Sequence, residues 1–526
     1  MKKMKNHTNE SIENKKLFNT KIDVTNKSIL FLIIIVSCGL LIRFYYTPFD
    51  VPITLDGFSG YFLYALDISI LGHLPNYTLS QSGWGEFLSL FFMNFHSENF
   101  MDYMNLQRAI SVILSGVTVI PIYFICKKFF NNYYSLIGAS IFALEPRIIL
   151  NSTLGISEPL YILAITLGIL FFINVNKKII YLSYGFFAWA TIIRPEGQFW
   201  FVAFSIMYFL RFRKSRKDLI MFLICLSIFL LVLSPIVIHR IECCENDAIV
   251  SRIIGELKNY ENNFTESNVQ TNQNTYGPNF INGIKLLGWS LIPIFIILVP
   301  LGLIPIFKHL KFPEYLLIII PSILALPIIY SLSIAPDTRY VYPIFPIFCV
   351  ISVFGIKWIV NNFNNKKLIL GIIVAVIIFS SLIFLDYKKI DHSERKEIYE
   401  ISKNIIMDVK GVNKGTKTTE FFKPLEIEKK WPILEYTGRL SESFEIKRLS
   451  PNQFNSLKEF IEFGKKNELT HLIIDNSQNM PDFLIDVFHN EEKYQYLVKE
   501  FDSLEQGYIY HIKKFKINYD MLESND

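Results

Sequence analysis

Residues 314–360 read EYLLIIIPSILALPIIYSLSIAPDTRYVYPIFPIFCVISVFGIKWIV. Two apolar runs, 314–334 and 339–360, stand on either side of a short gap that holds Asp337. Arg339 opens the second run. Each run approaches the ~20 residues that a helix needs to cross ~30 Å of hydrocarbon at about 1.5 Å per residue. This stretch therefore predicts two membrane-spanning helices joined by a short charged turn.

The same pattern continues through the chain as far as residue 385. Further apolar stretches lie at 28–46, 106–126, 133–150, 157–174, 178–193, 197–211, 217–238, 287–307 and 367–385. The chain is 51% hydrophobic and has 47 phenylalanines, too many apolar residues for the surface of a soluble domain. We therefore expect an α-helical polytopic membrane protein with about eleven spans. The short stretches 178–193 and 197–211 could instead form one re-entrant hairpin, although the charges between them favour two crossings.

Basic residues are concentrated in every second gap between these stretches. They are the lysines before residue 28, Lys127-Lys128, Lys177-Lys178, the group from Arg211 to Lys217, Lys308 with Lys311, and Lys366-Lys367. Loops rich in lysine and arginine stay in the cytoplasm. The pattern therefore predicts a multi-pass plasma-membrane protein with a cytoplasmic N-terminus and an extracytoplasmic C-terminus. These clusters also explain the net charge of +5 without a nucleic-acid partner.

The distribution of charge predicts three parts. Residues 1–27 form a basic cytoplasmic tail, and residues 28–385 form the transmembrane domain, with outer loops at 47–105 and 239–286. Residues 386–526 are more charged and predict a small extracytoplasmic α/β domain. In it we expect helices at Ser393–Met407 and Gln453–Asn467, and strands at Leu469–Asp475, Tyr494–Phe501 and Tyr508–Phe515.

Asp56 lies in the first outer loop, shortly after the first span. It precedes a segment, Gly57–Leu71, that could lie along the bilayer surface as a helix with aromatic residues on one side. A carboxylate just above the bilayer is well placed to act as a general base toward an acceptor hydroxyl or amine. Asp56 could equally cap the helix that follows, since aspartate is a favoured N-cap residue.

Three more ionisable positions fall on the same predicted face. Arg339 could bind a lipid phosphate bidentately or reach toward the headgroups as an ordinary interfacial arginine. Arg194 has the same two interpretations and a third, an ion pair with Glu196 that shapes the turn. Glu158 could be a first-turn acid favoured by the helix dipole. Because ionisable groups at one mouth of a helical bundle are costly to place, their convergence on one face indicates a functional site.

Several motifs occur in a fixed order along residues 28–385. They are Leu55-Asp56-Gly57 followed by Tyr61 and Ala65, Gln107-Arg108-Ala109, Cys126-Lys127-Lys128-Phe129-Phe130, Ser157-Glu158-Pro159-Leu160, Arg194-Pro195-Glu196-Gly197, and Arg339-Tyr340 with Pro343 and Pro346. In this order and topology the chain resembles the GT-C-type membrane glycosyltransferases. It is most similar to the branch of dolichyl-phosphate-mannose-protein mannosyltransferases and lipid A aminoarabinose transferases.

The resemblance implies an activity and a set of site residues. Such enzymes transfer a sugar, with inversion, from a polyprenyl-phosphate carrier to a protein, lipid or glycan acceptor on the outer face. It implies catalytic roles for Asp56, as the general base, and for Glu158. It implies that Arg339, Arg194 and Arg108 bind the phosphate of the donor. Many relatives have Asp-Glu where this chain has Asp56-Gly57, so the role of the second carboxylate is either vacant or taken by Glu158.

Two alternatives remain at this point. An oligosaccharyltransferase-type enzyme would share the topology but use a pyrophosphate donor and a divalent cation, with Asp56 and Glu158 as two of the ligands. The sequence has neither a DxD-type pair nearby nor a Trp-Trp-Asp motif in the C-terminal part. We therefore expect no cofactor, and a divalent metal stays an alternative that the sequence does not favour. A lipid or solute transporter is the second alternative, but transporters tend to hold their charged groups near the middle of the bilayer.

Overall fold

The computed structural model describes most of the chain but not all of it. The described residues are 25–54, 57, 61–77, 79, 81–97, 100–174, 179–212, 215–244, 280–308, 312–334, 336–406, 454–467, 469–475 and 481–524. They divide into two compact units. The first consists of residues up to Thr47, Thr78–Trp84 and Arg108–Lys389, and the second of Pro48–Tyr77, Gly85–Gln107 and the residues from Ile390 onward.

The predicted membrane spans all correspond to helices. Those that include the spans are α1 (Asn26–Tyr46), α4 (Phe100–Val117), α5 (Val119–Cys126), α6 (Asn132–Leu144), α7 (Pro146–Ser152), α8 (Glu158–Phe172), α9 (Ile180–Ile193), α10 (Gly197–Phe212), α11 (Arg216–Cys244), α12 (Phe280–Ser290), α13 (Phe295–Lys308), α14 (Phe312–Ile334), α15 (Phe345–Asn361) and α16 (Lys366–Tyr387). A 3₁₀ helix at Thr338–Ile344 leads into α15. The remaining helices before α16 are α2 (Leu63–Leu71) and α3 (Gly83–Phe92).

Among the described residues, six helical segments are long and apolar enough to cross a membrane, or up to eight if each of two bent pairs counts as one span. The shorter helices α8 and α9 are also apolar. The predicted helical membrane bundle is therefore confirmed. The assignment of α9 and α10 as two crossings stays a prediction, as does the division of the chain at residues 385 and 386.

Two of the predicted spans are broken, and a buried arginine binds the backbone at each break. α6 and α7 meet at 52°, and Arg43 of α1 donates to the carbonyl oxygens of Ala143 (2.8 Å) and Phe142 (3.5 Å). α12 and α13 meet at 90°, and Arg147 donates to the carbonyl oxygens of Trp289 (2.5 Å) and Ile292 (2.8 Å). Such breaks free carbonyl groups that lipid cannot satisfy, so the arginines stabilise them.

Glycines bring α13 and α15 unusually close together. A Cβ atom added to Gly302 would lie 2.0 Å from the carbonyl oxygen of Ile351, and one added to Gly355 would lie 2.9 Å from that of Leu298. Because apolar lipid gives little hydrophobic drive for helices to associate, close backbone packing at small residues is a main source of helix association in membranes. This contact holds the helix that follows the Arg339 turn.

In the second unit, aromatic side chains of the segment expected to lie on the bilayer surface are buried. The chain is helical at Gly57 and from Tyr61 into α2, but Tyr61, Phe62 and Tyr64 are at most 8% exposed. Tyr64 packs edge-to-face against Tyr77, with ring centroids 5.6 Å apart. Aromatic side chains buried in protein do not contact lipid, so the expectation that these rings face the bilayer is wrong, whereas the position of the helix at the bilayer surface stays a prediction. Phe58 lies outside the described residues.

The C-terminal residues form the expected small α/β structure. Its elements are α17 (Ser393–Ile406), α18 (Leu457–Lys466), β1 (His471–Asp475), α19 (Asp482–His489), β2 (Leu497–Asp502), β3 (Ile512–Ile517) and α20 (Tyr519–Ser524). The sheet is antiparallel in the order β1-β3-β2. One of its faces packs on α18 and α19, and Ile401 of α17 packs on the other with Ile473, Phe501 and Ile512. The predicted third strand began four residues too early, because Tyr508 precedes β3 in a turn closed by Gly507.

Candidate functional site

The described part of the first unit brings three of the predicted site residues together. Glu158 begins α8, Arg194 ends α9, and Arg339 lies in the 3₁₀ helix. The Nη1 atom of Arg194 donates to Oε1 of Glu158 at 2.5 Å. The Nη1 atom of Arg339 lies 3.8 Å from the same oxygen. One carboxylate oxygen thus links two arginines that are more than 140 residues apart in the sequence.

The turn between α9 and α10 is built so that Arg194 faces Glu158. Arg194 has an extended backbone (φ −146°, ψ 129°) and stops α9, while the following Pro195 disfavours a helical conformation for it. Gly197 then starts α10 with its Cα close to the chain that has just ended. A Cβ atom there would lie 2.5 Å from the backbone nitrogen of Thr191, so a side chain would not fit.

The other two residues are also held by their local sequence. Pro159 occupies the first turn of α8, where its missing N–H has no helical partner to lose, and its preset φ favours the helix start at Glu158. Asp337 is the N-cap of the 3₁₀ helix and accepts the backbone N–H of Arg339 at 2.9 Å. It also accepts the Nε and Nη2 donors of the Arg339 side chain. The cap and the ion pair together fix where Arg339 points.

The five charged groups of this cluster differ in burial. Glu158 is 2% exposed and Arg194 9% exposed, whereas Arg339 is 28% exposed. Glu196 (26%) and Asp337 (32%) are the outer carboxylates. Glu196 accepts from Nε and Nη2 of Arg194, both at 3.4 Å. With all five groups ionised, the cluster has two positive and three negative charges, a formal charge of −1.

A pocket with a cavity volume of about 40 Å³ lies against this cluster. Its polar wall is formed by Arg194, Glu196 and Arg339. Its aromatic and apolar wall is formed by Tyr161, Phe199, Trp200, Tyr340, Pro343, Leu324, Pro327 and Ile328, with Ser331. The Arg194 guanidinium also lies over the Tyr340 ring, 5.6 Å from its centroid. The pocket is therefore suited to a molecule that is anionic at one end and apolar or ring-shaped at the other.

Two predicted site residues lie apart from this description. Asp56, the expected general base, lies outside the described residues. Arg108 is 2% exposed in α4, and within the described part of the chain it does not line the pocket. The roles of Asp56, Glu158, Arg194, Arg339 and Arg108 therefore remain predictions.

Sequence reasoning missed the aromatic side of the pocket. Tyr340 directly follows Arg339, and Trp200 lies one helical turn after Gly197. Both are therefore close to residues that the sequence motifs already contain. Tyr161 lies one turn after Glu158 on the same helix face. This spacing was a usable signal, because residues i and i+3 of a helix point in similar directions.

The described residues do not form a metal site. Within them, no group of three or more His, Cys, Asp or Glu side chains is arranged to hold a metal ion. The carboxylates of Glu158, Glu196 and Asp337 are instead paired with guanidinium groups, which oppose a second cation at the same oxygens.

The described residues thus combine a bundle of apolar helices and a turn-borne ionisable cluster with a small α/β structure. Solved structures of the oligosaccharyltransferase of Archaeoglobus fulgidus are similar to this chain. Its apo form matches with a TM-score of 0.58 at 11% identity, covering 88% of this chain and 70% of that one. Its complex with Zn and sulfate matches with a TM-score of 0.54 at 12% identity, covering 86% and 68%.

A third structure, archaeal AglB from the same organism with an inhibitory peptide and a dolichol-phosphate, has a TM-score of 0.52 at 11% identity and covers 86% of this chain and 70% of that one. At such identities the likeness shows the fold alone. No protein-family model matches the sequence, and no curated protein matches it either. The GT-C-like fold expected from the sequence is confirmed, whereas the mannosyltransferase branch stays a prediction.

Proposed function

We propose that this protein is a membrane glycosyltransferase that takes a sugar from a polyprenyl-phosphate carrier. It transfers the sugar, with inversion, to a protein, lipid or glycan acceptor on the outer face of the plasma membrane. The GT-C-like fold supports a transferase over a transporter. The observation that carries the donor class is the pairing of Arg194 and Arg339 through Glu158 beside an aromatic and apolar pocket.

The arginines suit a phosphate leaving group. When the bond between the sugar C1 and the phosphate oxygen breaks, negative charge grows on that oxygen. Guanidinium donors fixed in advance stabilise such charge without reorganising, and Arg binds phosphate oxygens in a fork geometry. Removing one such donor typically lowers the rate about 10²–10³-fold. Arg339 is the more exposed of the two and is therefore the first candidate for direct contact.

The remaining carboxylates divide the other tasks. In this scheme Asp56 accepts the proton of the acceptor hydroxyl or amine as that atom attacks C1. Glu158 contributes to catalysis by positioning the two arginines, because its Oε1 atom accepts from Arg194 and lies close to Arg339. The Leu324, Pro327 and Ile328 side of the pocket would receive the first isoprene units, while Trp200 and Tyr161 offer rings for the sugar face.

Two complexes among the similar solved structures agree with this class of ligands. One contains a dolichol-phosphate, a polyprenyl phosphate, and another is tethered to an acceptor peptide containing an NVT sequon. They support a lipid-linked donor and make a peptide a reasonable first acceptor for this chain.

The experiment that tests the proposal uses the purified full-length protein in lipid vesicles with a panel of labelled polyprenyl-phosphate sugars. We expect the wild type to transfer at least one sugar and Asp56→Asn to lose transfer, because the amide cannot accept the proton. The matched control is Asp102→Asn, which removes an exposed carboxylate at the start of α4. Normal transfer by Asp56→Asn would exclude Asp56 as the base.

A second candidate function is an oligosaccharyltransferase-type reaction with a lipid pyrophosphate donor and a divalent cation. It is favoured by the fact that the similar solved structures are those of an oligosaccharyltransferase. The same assay distinguishes the two. Transfer that survives a chelator and uses monophosphate donors supports the first function, whereas chelator-sensitive transfer from pyrophosphate donors supports the second.

A further inference from the structure

The two arginines of the pocket are not arranged as open anion sites. The Nη1 nitrogen of Arg194 donates to the buried Glu158. Its other two side-chain nitrogens, Nε and Nη2, donate to Glu196. Arg339 lies near Glu158 with Nη1 and gives Nε and Nη2 to Asp337. The pattern is the same in both cases. One inner carboxylate is shared, and each arginine has its own outer carboxylate two residues away in the sequence.

The inner and outer carboxylates differ in how easily they can leave. Glu158 is 2% exposed, so its carboxylate has no water to move into. Glu196 and Asp337 are 26% and 32% exposed and can swing from the arginine into solvent. The Glu196 contacts are also long, at 3.4 Å each. Partly exposed ion pairs separate more easily than buried ones, since water can solvate the carboxylate that leaves.

A phosphate at this pocket would compete with these two carboxylates. The described groups of the cluster already have a formal charge of −1. Glu196 and Asp337 accept from the Nε and Nη2 edge of each arginine, which is an edge that a phosphate would bind in the fork geometry. An added anion would then face like charges a few ångströms away in a partly desolvated pocket, where repulsion is strong. A phosphate that binds through this edge therefore displaces at least one outer carboxylate.

Resting on the function proposed above, we propose that Asp337 and Glu196 are displaceable carboxylates that tune this pocket against phosphate monoesters. Before the donor binds, they occupy the arginine positions that phosphate oxygens take. The donor, a phosphodiester, has one negative charge. Once the C1–oxygen bond has broken and the acceptor has taken the sugar, the carrier is a monoester with a charge of about −1.5 to −2 at pH 7.

Because of this extra charge, the carboxylates favour release of the spent carrier. The repulsion between the phosphate and the two carboxylates rises when the diester becomes a monoester. The carboxylates then return to the arginines and displace the spent carrier. They also discriminate against free phosphate, which has no isoprenoid chain to offset the repulsion. Asp337 and Glu196 thus determine which phosphate species the arginines hold, and Glu158 keeps the two arginines in place throughout.

The test is a binding measurement that does not depend on transfer. Titration calorimetry of the full-length detergent-purified protein with farnesyl phosphate, a monoester resembling the spent carrier, is compared for the wild type, Asp337→Asn, Glu196→Gln and Asp102→Asn. Asn caps a helix about as well as Asp, so Asp337→Asn removes charge but keeps the cap on the Arg339 turn. We expect one or both pocket variants to bind about fivefold to tenfold more tightly than the wild type, because a like charge near the phosphate is gone.

Two further arms separate this inference from the function on which it rests. Arg339→Gln tests the phosphate site itself. If this variant loses farnesyl phosphate binding while Asp337→Asn and Glu196→Gln both bind like the wild type, only the displacement role is overturned. Unchanged binding by Arg339→Gln would overturn both. In the transfer assay, Asp337→Asn should lower KM and kcat together as the spent carrier leaves more slowly. A fall in kcat with a higher KM contradicts the proposal, and Asp102→Asn should match the wild type in every arm.

Discussion

At the scale of single residues, the structure separates two kinds of arginine that look alike in the sequence. Arg43 and Arg147 donate hydrogen bonds to carbonyl oxygens at helix breaks. Arg194 and Arg339 are paired with carboxylates beside a pocket. The sequence could flag ionisable groups on one face and the neighbouring carboxylates Glu196 and Asp337. The other partners lie further away along the chain, for example 36 residues between Arg194 and Glu158 and 145 residues between Arg147 and Ile292. Local spacing has no information about such partners.

Glu158 provides the residue-scale prediction. Glu158→Gln keeps the size of the side chain but removes the negative charge that lies against Arg194 and Arg339. Breaking a buried ion pair by removing one partner typically costs about 3–5 kcal/mol, and here Glu196 and Asp337 offset part of it. We expect lower thermal stability in detergent and transfer reduced at least about tenfold, because both guanidinium groups lose their shared anchor.

Glu158→Asp is the matched comparison for this change. It restores the charge on a side chain that is one methylene shorter, so it should recover part of both stability and transfer. Activity in Glu158→Gln equal to that of the wild type, measured with the same donor, would mean that the buried carboxylate does not organise the arginines.

At the scale of the elements, the sequence predicted the helices well and their breaks poorly. Apolar runs of 15 to 22 residues predicted where the helices lie, because lipid admits few alternatives to a helix. The 52° and 90° bends were missed because each stretch was assigned from its overall apolar character, although Glu145-Pro146 and Pro293 stand at the two breaks. What makes the bends tolerable is a distant arginine in each case, and hydropathy cannot register it.

Helices α13 and α15 give a prediction at this scale. Gly302→Leu would place side-chain atoms where the carbonyl of Ile351 already lies, only 2.0 Å from an added Cβ atom. Overpacking of this kind typically costs about 1–3 kcal/mol and separates the helices. Since α15 follows directly from the Arg339 turn, we expect a lower melting temperature and weaker farnesyl phosphate binding.

The control is Gly371→Leu in α16, where an added Cβ atom meets nothing within 4 Å. This variant adds the same side chain to a helix without a close neighbour and should melt like the wild type. Equal melting temperatures for both leucine variants would argue that the α13–α15 contact is not tightly packed.

At the scale of the whole molecule, the fold is a membrane bundle of the GT-C type, while its orientation still rests on the distribution of lysine and arginine. The basic clusters alternate with the gaps that hold Glu158, Arg194 and Asp337. The contacts among Glu158, Arg194 and Arg339 bring those gaps to one end of the bundle, as the alternation requires. The positive-inside rule then assigns that end to the extracytoplasmic side.

Cysteine labelling tests this orientation directly. In a variant without native cysteines, Asn364→Cys lies in the exposed turn between α15 and α16, next to Lys366 and Lys367, and Asp391→Cys lies in an exposed position after α16. One membrane crossing separates the two sites if α16 spans the bilayer. We expect a membrane-impermeant maleimide to label Asp391→Cys in intact cells and Asn364→Cys only after permeabilisation. Labelling in the opposite order would place the arginine pocket in the cytoplasm, where nucleotide sugars are the available donors, and the polyprenyl-phosphate proposal would lose its basis.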